Sequence, residues 1–278
     1  MLRARGITVR LGKNEVLRGV DFAAMPGALT AIVGPNGSGK TTLLRALVGD
    51  VPHRGDISLN GTPVDIFRPW ELAAFRAVLP QVTPLAFPFT VLEVVRLGLT
   101  AGRHAAHPDI AHAALAAVGL QGYAGRFFQE LSGGEQARAQ LARVLAQVWE
   151  PMAQGQPRWL FLDEPVASLD IGHQLLIMRL ARGYADRGGG VVAVMHDLNL
   201  TAMFADRVVL LNEGAVLAHG RPVDVMTDTH LSRAYRCPVR VNTTPPSGAY
   251  ILPQAAGVLN EPPAHHMQVE ESCVAKNR

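Results

Sequence analysis

Apolar and polar residues alternate in the first stretches of the chain, GITVRL and VLRGVDFAA, and apolar residues then run together in LTAIV. Alternation marks a strand with one covered face, and an unbroken short apolar run marks a strand covered on both. LTAIV leads into the loop GPNGSGKTT and on into LLRALVG, whose apolar spacing is helical, so the spacing predicts strand, loop and a helix over 39–49. DISLNGTPV reads as a hairpin about Asn60-Gly61, and RAVLPQ as a further short strand. Between about 88 and 150 the period turns helical in TVLEVVRLGL, HPDIAHAALAAVG and GGEQARAQLARVLAQVW, which predicts an inserted helical subdomain with its last helix over 134–149. RWLFLDE then reads as a strand buried on both faces, GHQLLIMRLARGYADRG as a helix, GVVAVMH as a strand, DLNLTAMFAD as a helix and RVVLLNEG as a strand. That alternation predicts a mostly parallel α/β layer. From residue 242 the periodicity is lost, and 242–278, rich in Pro, Gly and polar residues, are expected to be a loosely ordered extension of a domain spanning 1–241.

Composition narrows the partners. A chain of 278 residues that is 48% hydrophobic can bury a full core. The net charge is only +3, with the arginines scattered, which argues against a nucleic-acid-binding arm or a polybasic membrane anchor. Arg3, Arg5 and Arg10 interrupt the first ten residues, unlike a signal peptide, and the longest uncharged run, 241–260, carries Pro245, Pro246 and Pro253 and does not read as a membrane span. Cys237 and Cys273 make neither a disulfide framework nor a CxxC pair, so a reducing, cytosolic setting is expected.

Gly34 to Thr41 has the spacing G-x-x-x-x-G-K-[ST], with a strand before it and a helix after. Such a loop lets bare backbone N–H groups converge on phosphate oxygens at the positive end of a helix dipole. Gly34, Pro35, Asn36, Gly37, Ser38, Gly39, Lys40, Thr41 and Thr42 are therefore expected to hold a nucleotide's phosphates. Lys40 would reach the outer phosphates, and the Thr41 hydroxyl would ligate magnesium. Asp163, closing the buried run WLFLD, is the candidate for the metal's carboxylate, and Glu164 for orienting or deprotonating an attacking water.

LSGGEQ at Leu131–Gln136 resembles the signature of the ATP-binding cassette (ABC) ATPases, and the other marks of that family follow in order: Gln81, the segment Ser168-Leu169-Asp170, and His196. The resemblance covers about residues 1–240. It implies an ABC-type P-loop NTPase core, with a mostly parallel sheet, an N-terminal antiparallel β subdomain and the helical insertion, that hydrolyses ATP with Mg2+. It also implies a head-to-tail homodimer in which each ATP lies between one subunit's phosphate loop and the other's Ser132, Gly133, Gly134 and Asp170. The sequence gives the second anion site a physical basis, because a hydroxyl and two bare glycines open a helix there. In that frame His196 contacts the γ-phosphate and holds the water in line with Glu164, and Gln81 ligates the metal or the water. The chain departs from the family at Arg10 and Leu11, where an aromatic usually meets adenine, leaving apolar contact or the Arg10 guanidinium for that task. Val166 stands where threonine is common, a mild change.

One phosphate loop and one signature make half of an ATPase pair, so the transmembrane path must come from a separate permease dimer. LPQVTPLAFPFTVLEVVRLG and HGRPVDVMTDTHLSRAY are similar to the ATPases of iron-siderophore, cobalamin and haem importers. The 11 residues between Gln147 and Trp159, about twice the usual length, look like those of the haem (hemin) importers. The resemblance implies haem import from a periplasmic haem-binding protein, with the chain held peripherally on the cytoplasmic face of the bacterial inner membrane and no nucleic acid involved. A siderophore or cobalamin cargo, or a soluble non-transport ABC ATPase, are the alternatives. Phe87, Phe89 and Leu92 are candidates for the floor of a groove that receives the permease, or for plain core. His104, His107 and His112, and the pair His265-His266, lack the fixed helical spacing of metal ligands.

Overall fold

The computed structural model describes residues 1–81, 87–102, 107–167 and 169–255. An antiparallel sheet is built from β1 (Leu2–Leu11), β2 (Asn14–Ala24), β4 (Arg54–Leu59) and β5 (Thr62–Pro63) in the order β2-β1-β4-β5. The β4–β5 turn is the Asn60-Gly61 hairpin expected from the sequence. A second sheet has six strands: β3 (Leu29–Val33), β6 (Arg76–Leu79), β9 (Trp159–Asp163), β10 (Gly190–Val194), β11 (Arg207–Asn212) and β12 (Ala215–Gly220). Their order is β12-β11-β3-β10-β9-β6, and every pair is parallel except β11 with β12.

The unbroken apolar runs are explained by what lies on the two faces of this sheet. Leu160, Leu162, Val191, Ala193, Val208 and Leu210 point into one core, and Trp159, Phe161, Val192, Val194, Val209 and Leu211 into the other. The first core is filled from α3 (Val91–Ala101), α4 (Asp109–Ala117), α5 (Gly133–Gln147) and α6 (Ile171–Asp186). The second is filled by α1 (Lys40–Leu47) and the inner face of the antiparallel sheet, with Ile7, Val9, Leu17 and Val20 fully buried. At about 25 cal/mol for each Å² of apolar surface removed from water, two such cores supply the bulk of the folding free energy.

Polar anchors set the edges. The Trp159 indole is fully buried and donates Nε1–H to Asn60 Oδ1 at 3.0 Å, and Asn60 Nδ2 donates to Pro157 O at 2.8 Å, tying the hairpin turn to the big sheet. Asp206 accepts the Leu29 backbone N–H at 2.8 Å and the Arg182 guanidinium, which fixes the start of β3 against α6.

Several elements lay outside the sequence reading. The long segment before β9 folds into a small hairpin, β7 (Met152–Ala153) with β8 (Gln156–Pro157). The short helix α2 (Pro69–Ala73) precedes β6, β12 turns back on β11, and α8 (Pro222–Val225) and α9 (Asp228–Tyr235) follow. The remaining helix, α7 (Leu198–Phe204), falls where expected. The first helix opens at Lys40 rather than 39, and α5 opens at Gly133 and ends at Gln147 rather than running over 134–149, because the Ser132 cap sets its start. Among the described residues no helix is long and apolar enough to cross a membrane.

Candidate functional site

Parallel strands carry their C-terminal ends to one edge, and loops leaving that edge converge. Val194 of β10 stands in register with Ile32 of β3 on one side and Asp163 of β9 on the other, and Leu162 with Leu79 of β6. The phosphate-type loop, Gln81, Glu164 and His196 therefore all leave the same edge within two residues of a strand end.

The loop itself is held from behind. Gly34 is buried with φ 146°, and a Cβ there would lie 2.2 Å from the Leu211 carbonyl oxygen, so only glycine lets the loop turn this close to β11. The turn between β11 and β12 supports it further, with the Gly214 N–H donating to Ser38 O at 3.1 Å. The sequence reading missed this support, although Glu213-Gly214 is a turn dipeptide. Ser38 Oγ is buried without a hydrogen-bond partner. Lys40 arches over the loop and donates to Gly34 O at 2.9 Å and Pro35 O at 3.1 Å, which leaves one of its three ammonium protons for an anion. Burial pushes the Lys40 ammonium below the ordinary lysine range, while Glu164 and Asp163 pull it partly back.

Thr41 Oγ1 donates to Asp163 Oδ1 at 3.1 Å, joining the first turn of α1 to the end of β9. Burial raises the Asp163 carboxyl above the usual range and the neighbouring Glu164 raises it further, against the pull of Thr41, Lys40 and His196. A half-buried hydroxyl beside a buried carboxylate under this penalty suits a hard cation that completes its shell with phosphate and water oxygens.

Glu164 departs from β geometry, with φ 54°, a left-handed conformation uncommon for a side-chain-bearing residue. That twist turns its carboxylate between two partners: Gln81 Nε2 donates to Oε2 at 3.0 Å, and His196 Nε2 lies 2.5 Å from Oε1. Three residues spaced far apart in sequence thus meet at one carboxylate.

Ser132, Gly133 and Gly134 lie elsewhere, at the start of α5. Ser132 Oγ donates to Glu135 Oε2 at 2.8 Å and accepts the Glu135 N–H at 3.3 Å, a reciprocal cap. Asp170 caps α6 through the His173 N–H at 2.9 Å, with His173 Nδ1 at 2.6 Å, and these bonds, the backbone one foremost, hold its carboxyl below the usual range. Among the described residues no hydrogen bond links Ser132, Gly133, Gly134 or Asp170 to the loop 34–42. Ser168, His104 and the pair His265-His266 lie outside the described residues. Phe89 and Leu92 pack on the core while Phe87 is exposed, so of the three only Phe87 offers an open apolar surface. Arg10 and Leu11 are exposed at the end of β1.

The family described as ABC transporter matches residues 17–167. Hemin import ATP-binding protein HmuV of Jannaschia sp. (strain CCS1) is 64% identical over 92% of this chain and 95% of its own. The protein of the same description from Roseobacter denitrificans is 62% identical over 93% and 99%. Among solved structures, a dimeric post-hydrolysis ATP-binding cassette bound to ADP and Pi superposes with a TM-score of 0.68 at 25% identity, covering 80% of this chain and 99% of that one. By the matched family and these near full-length relatives, the chain belongs to the ABC transporter family, among its ATP-hydrolysing subunits.

Proposed function

We propose that the chain powers haem import: as a homodimer it hydrolyses Mg-ATP and drives a separate transmembrane permease dimer, fed by a periplasmic haem-binding protein, from the cytoplasmic face of the inner membrane. The cargo follows from the relatives, which are named for hemin import at 52–64% identity. The single observation that carries the chemistry is the Glu164 carboxylate held between Gln81 and His196 at the strand edge that also bears the loop 34–42.

In this reading the backbone of 34–42 and Lys40 grip the β- and γ-phosphates of ATP, and Thr41 and Asp163 hold the magnesium. When bound, that ion neutralises phosphate charge and polarises the transferred group. Glu164 accepts a proton from the attacking water. His196 fixes the carboxylate from one side and reaches the γ-phosphate, while Gln81 fixes it from the other, on the strand next to the helical layer. Ser132, Gly133, Gly134 and Asp170 serve the partner's nucleotide. The boundary at 241 and the helical subdomain over 88–150 are part of the same proposal.

Glu164→Gln keeps the size and one acceptor but removes the base. It is expected to cut ATP turnover by at least about a hundredfold while leaving an ATP-bound dimer in size-exclusion chromatography. A variant that stays monomeric with ATP would overturn the sandwich. Co-reconstitution with the permease tests the cargo: uptake of haem, and not of a ferric siderophore or cobalamin, is expected.

A further inference from the structure

Hydrolysis as read above uses neither the long segment between Gln147 and Trp159 nor the later turns of α5 and α6, yet these meet around a cleft of about 570 Å³. One wall is α6, through Leu176, Arg179, Leu180, Gly183 and Arg187, which are spaced three or four apart and so form one stripe of the helix. Leu145 of α5, with Trp149 and Pro151 of the long segment, forms the other. That second wall is tied to the sheet: the Arg158 N–H donates to Pro151 O at 2.8 Å, and Arg158 O accepts the Gly190 N–H at 2.9 Å. A mostly apolar hollow of this size, with a few polar groups at its rim, has the character of a small-molecule site.

Gly183 sits inside α6, where glycine is the poorest helix former after proline. A Cβ there would meet only Arg187 Nη1, at 3.7 Å, an ordinary contact. The fold therefore has no steric need for glycine at 183, and what the missing side chain provides is space in the cleft. Tyr184 lines the floor, 1% exposed, and its hydroxyl is buried with no hydrogen-bond partner among the described residues. Leaving such a group unmet is costly, and an acceptor on a bound molecule completes it. Arg179 and Arg187 are in no ion pair among the described residues, and at 1.5 Å rise per residue they stand about 12 Å apart along the helix axis. Glu150 is the one acid lining the cleft, so its rim favours an anion.

We propose that this cleft is a haem-binding site on the ATPase itself: the flat macrocycle lies between the α6 stripe and Trp149, and its two carboxylates meet Arg179 and Arg187. Guanidinium and carboxylate match each other with two parallel hydrogen bonds. No histidine, cysteine or methionine lines the cleft among the described residues, and burial pushes the Tyr184 phenol above its ordinary range and keeps it neutral. Recognition is therefore by plane and charge, and the iron takes no ligand from the protein. The choice of haem among flat dicarboxylates rests on the cargo read above.

The test titrates the full-length ATPase with ferric haem, read by visible absorbance, and with metal-free protoporphyrin IX, read by fluorescence. Both are expected to bind at one site per chain, with Kd values within about threefold of each other. Gly183→Leu fills the hollow and is expected to raise both Kd values at least about tenfold, while its Tm is no lower than that of wild type because leucine is the better helix former. Replacing Arg179 and Arg187 together by alanine is expected to raise them about tenfold as well. Trp70→Ala, which removes an exposed aromatic far along the chain from the cleft, should change neither. Phosphate release without porphyrin should match wild type in all three variants. No binding by wild type, binding that Gly183→Leu and the arginine pair leave unchanged, or haem binding that protoporphyrin IX does not reproduce would overturn the proposal. Uptake through the reconstituted permease decides the cargo separately: haem import with no binding by the ATPase removes the site and leaves the cargo, whereas import of a siderophore in place of haem removes the cargo whatever the ATPase binds.

Discussion

Gly34→Ala puts a methyl group where the structure leaves no space for one. Its Cβ would sit 2.2 Å from the Leu211 carbonyl oxygen and 2.9 Å from Ser38 Oγ, at φ 146°. Real Cβ contacts lie beyond 3.0 Å, and the closest atom belongs to the backbone of β11, an inner strand that cannot swing aside. The loop must therefore retreat by close to 1 Å, and a displacement of about that size between reacting groups costs on the order of a hundredfold in rate. Gly37→Ala is the matched control. Gly37 also has positive φ, 78°, but a Cβ there meets nothing within 4 Å, leaving only a backbone preference of about 1–2 kcal/mol. The assay is kcat/KM for Mg-ATP with both variants at the same concentration, together with thermal unfolding to establish that both are folded. Gly34→Ala is expected to lose about a hundredfold and Gly37→Ala no more than about tenfold. Equal losses in the two, or a Gly34→Ala protein within twofold of wild type, would refute the argument that contact with β11 sets the position of the loop.

Two further outcomes follow from the carboxylates. The folded-state pKa of Asp163 is raised, so its contribution to stability is full below the ordinary aspartate value and is lost as pH rises through the folded value; at neutral pH the ionised group is a liability in the nucleotide-free protein. Asp163→Asn is therefore expected to raise the Tm of the nucleotide-free protein at pH 7.5, to flatten its pH dependence on the acid side, and to abolish Mg-dependent hydrolysis, all read by thermal unfolding across pH and by phosphate release. His196→Ala leaves Glu164 with Gln81 alone and is expected to lower single-turnover hydrolysis about a hundredfold while ATP affinity changes by less than about threefold, so a large loss of affinity would count against an orienting role.

The sheet was legible because its strands are covered on both faces: WLFL and GVVAV are uninterrupted apolar runs, and no polar residue within either had to be explained away. The phosphate-type loop was legible from spacing alone, since its glycines answer to backbone needs that no other residue meets. The hairpin before β9 was not, because Gln154-Gly155 joins strands of only two residues, too short to show a period. The support from the Glu213-Gly214 turn was not either. Gly214 lies 176 positions from Ser38, and nothing in the turn carries a pattern that names its partner. Glu164 is the intermediate case. Its place after Asp163 was readable, but its left-handed backbone and its grip by Gln81 and His196 arise from three strand ends meeting, which only the register of β6, β9 and β10 determines.

That grip has a consequence for how one chain depends on another. Gln81 follows β6, the edge strand next to the helical layer, while His196 follows β10 in the middle of the sheet. A shift of the β6 end relative to the sheet would act directly on the 3.0 Å hydrogen bond from Gln81 to Glu164, whereas the contact with His196 comes from a different strand. Phe87, six positions after Gln81, is an exposed apolar residue. A partner pressing there would act on the orientation of the base without touching the nucleotide, and its effect would appear in kcat while the affinity for ATP stayed fixed.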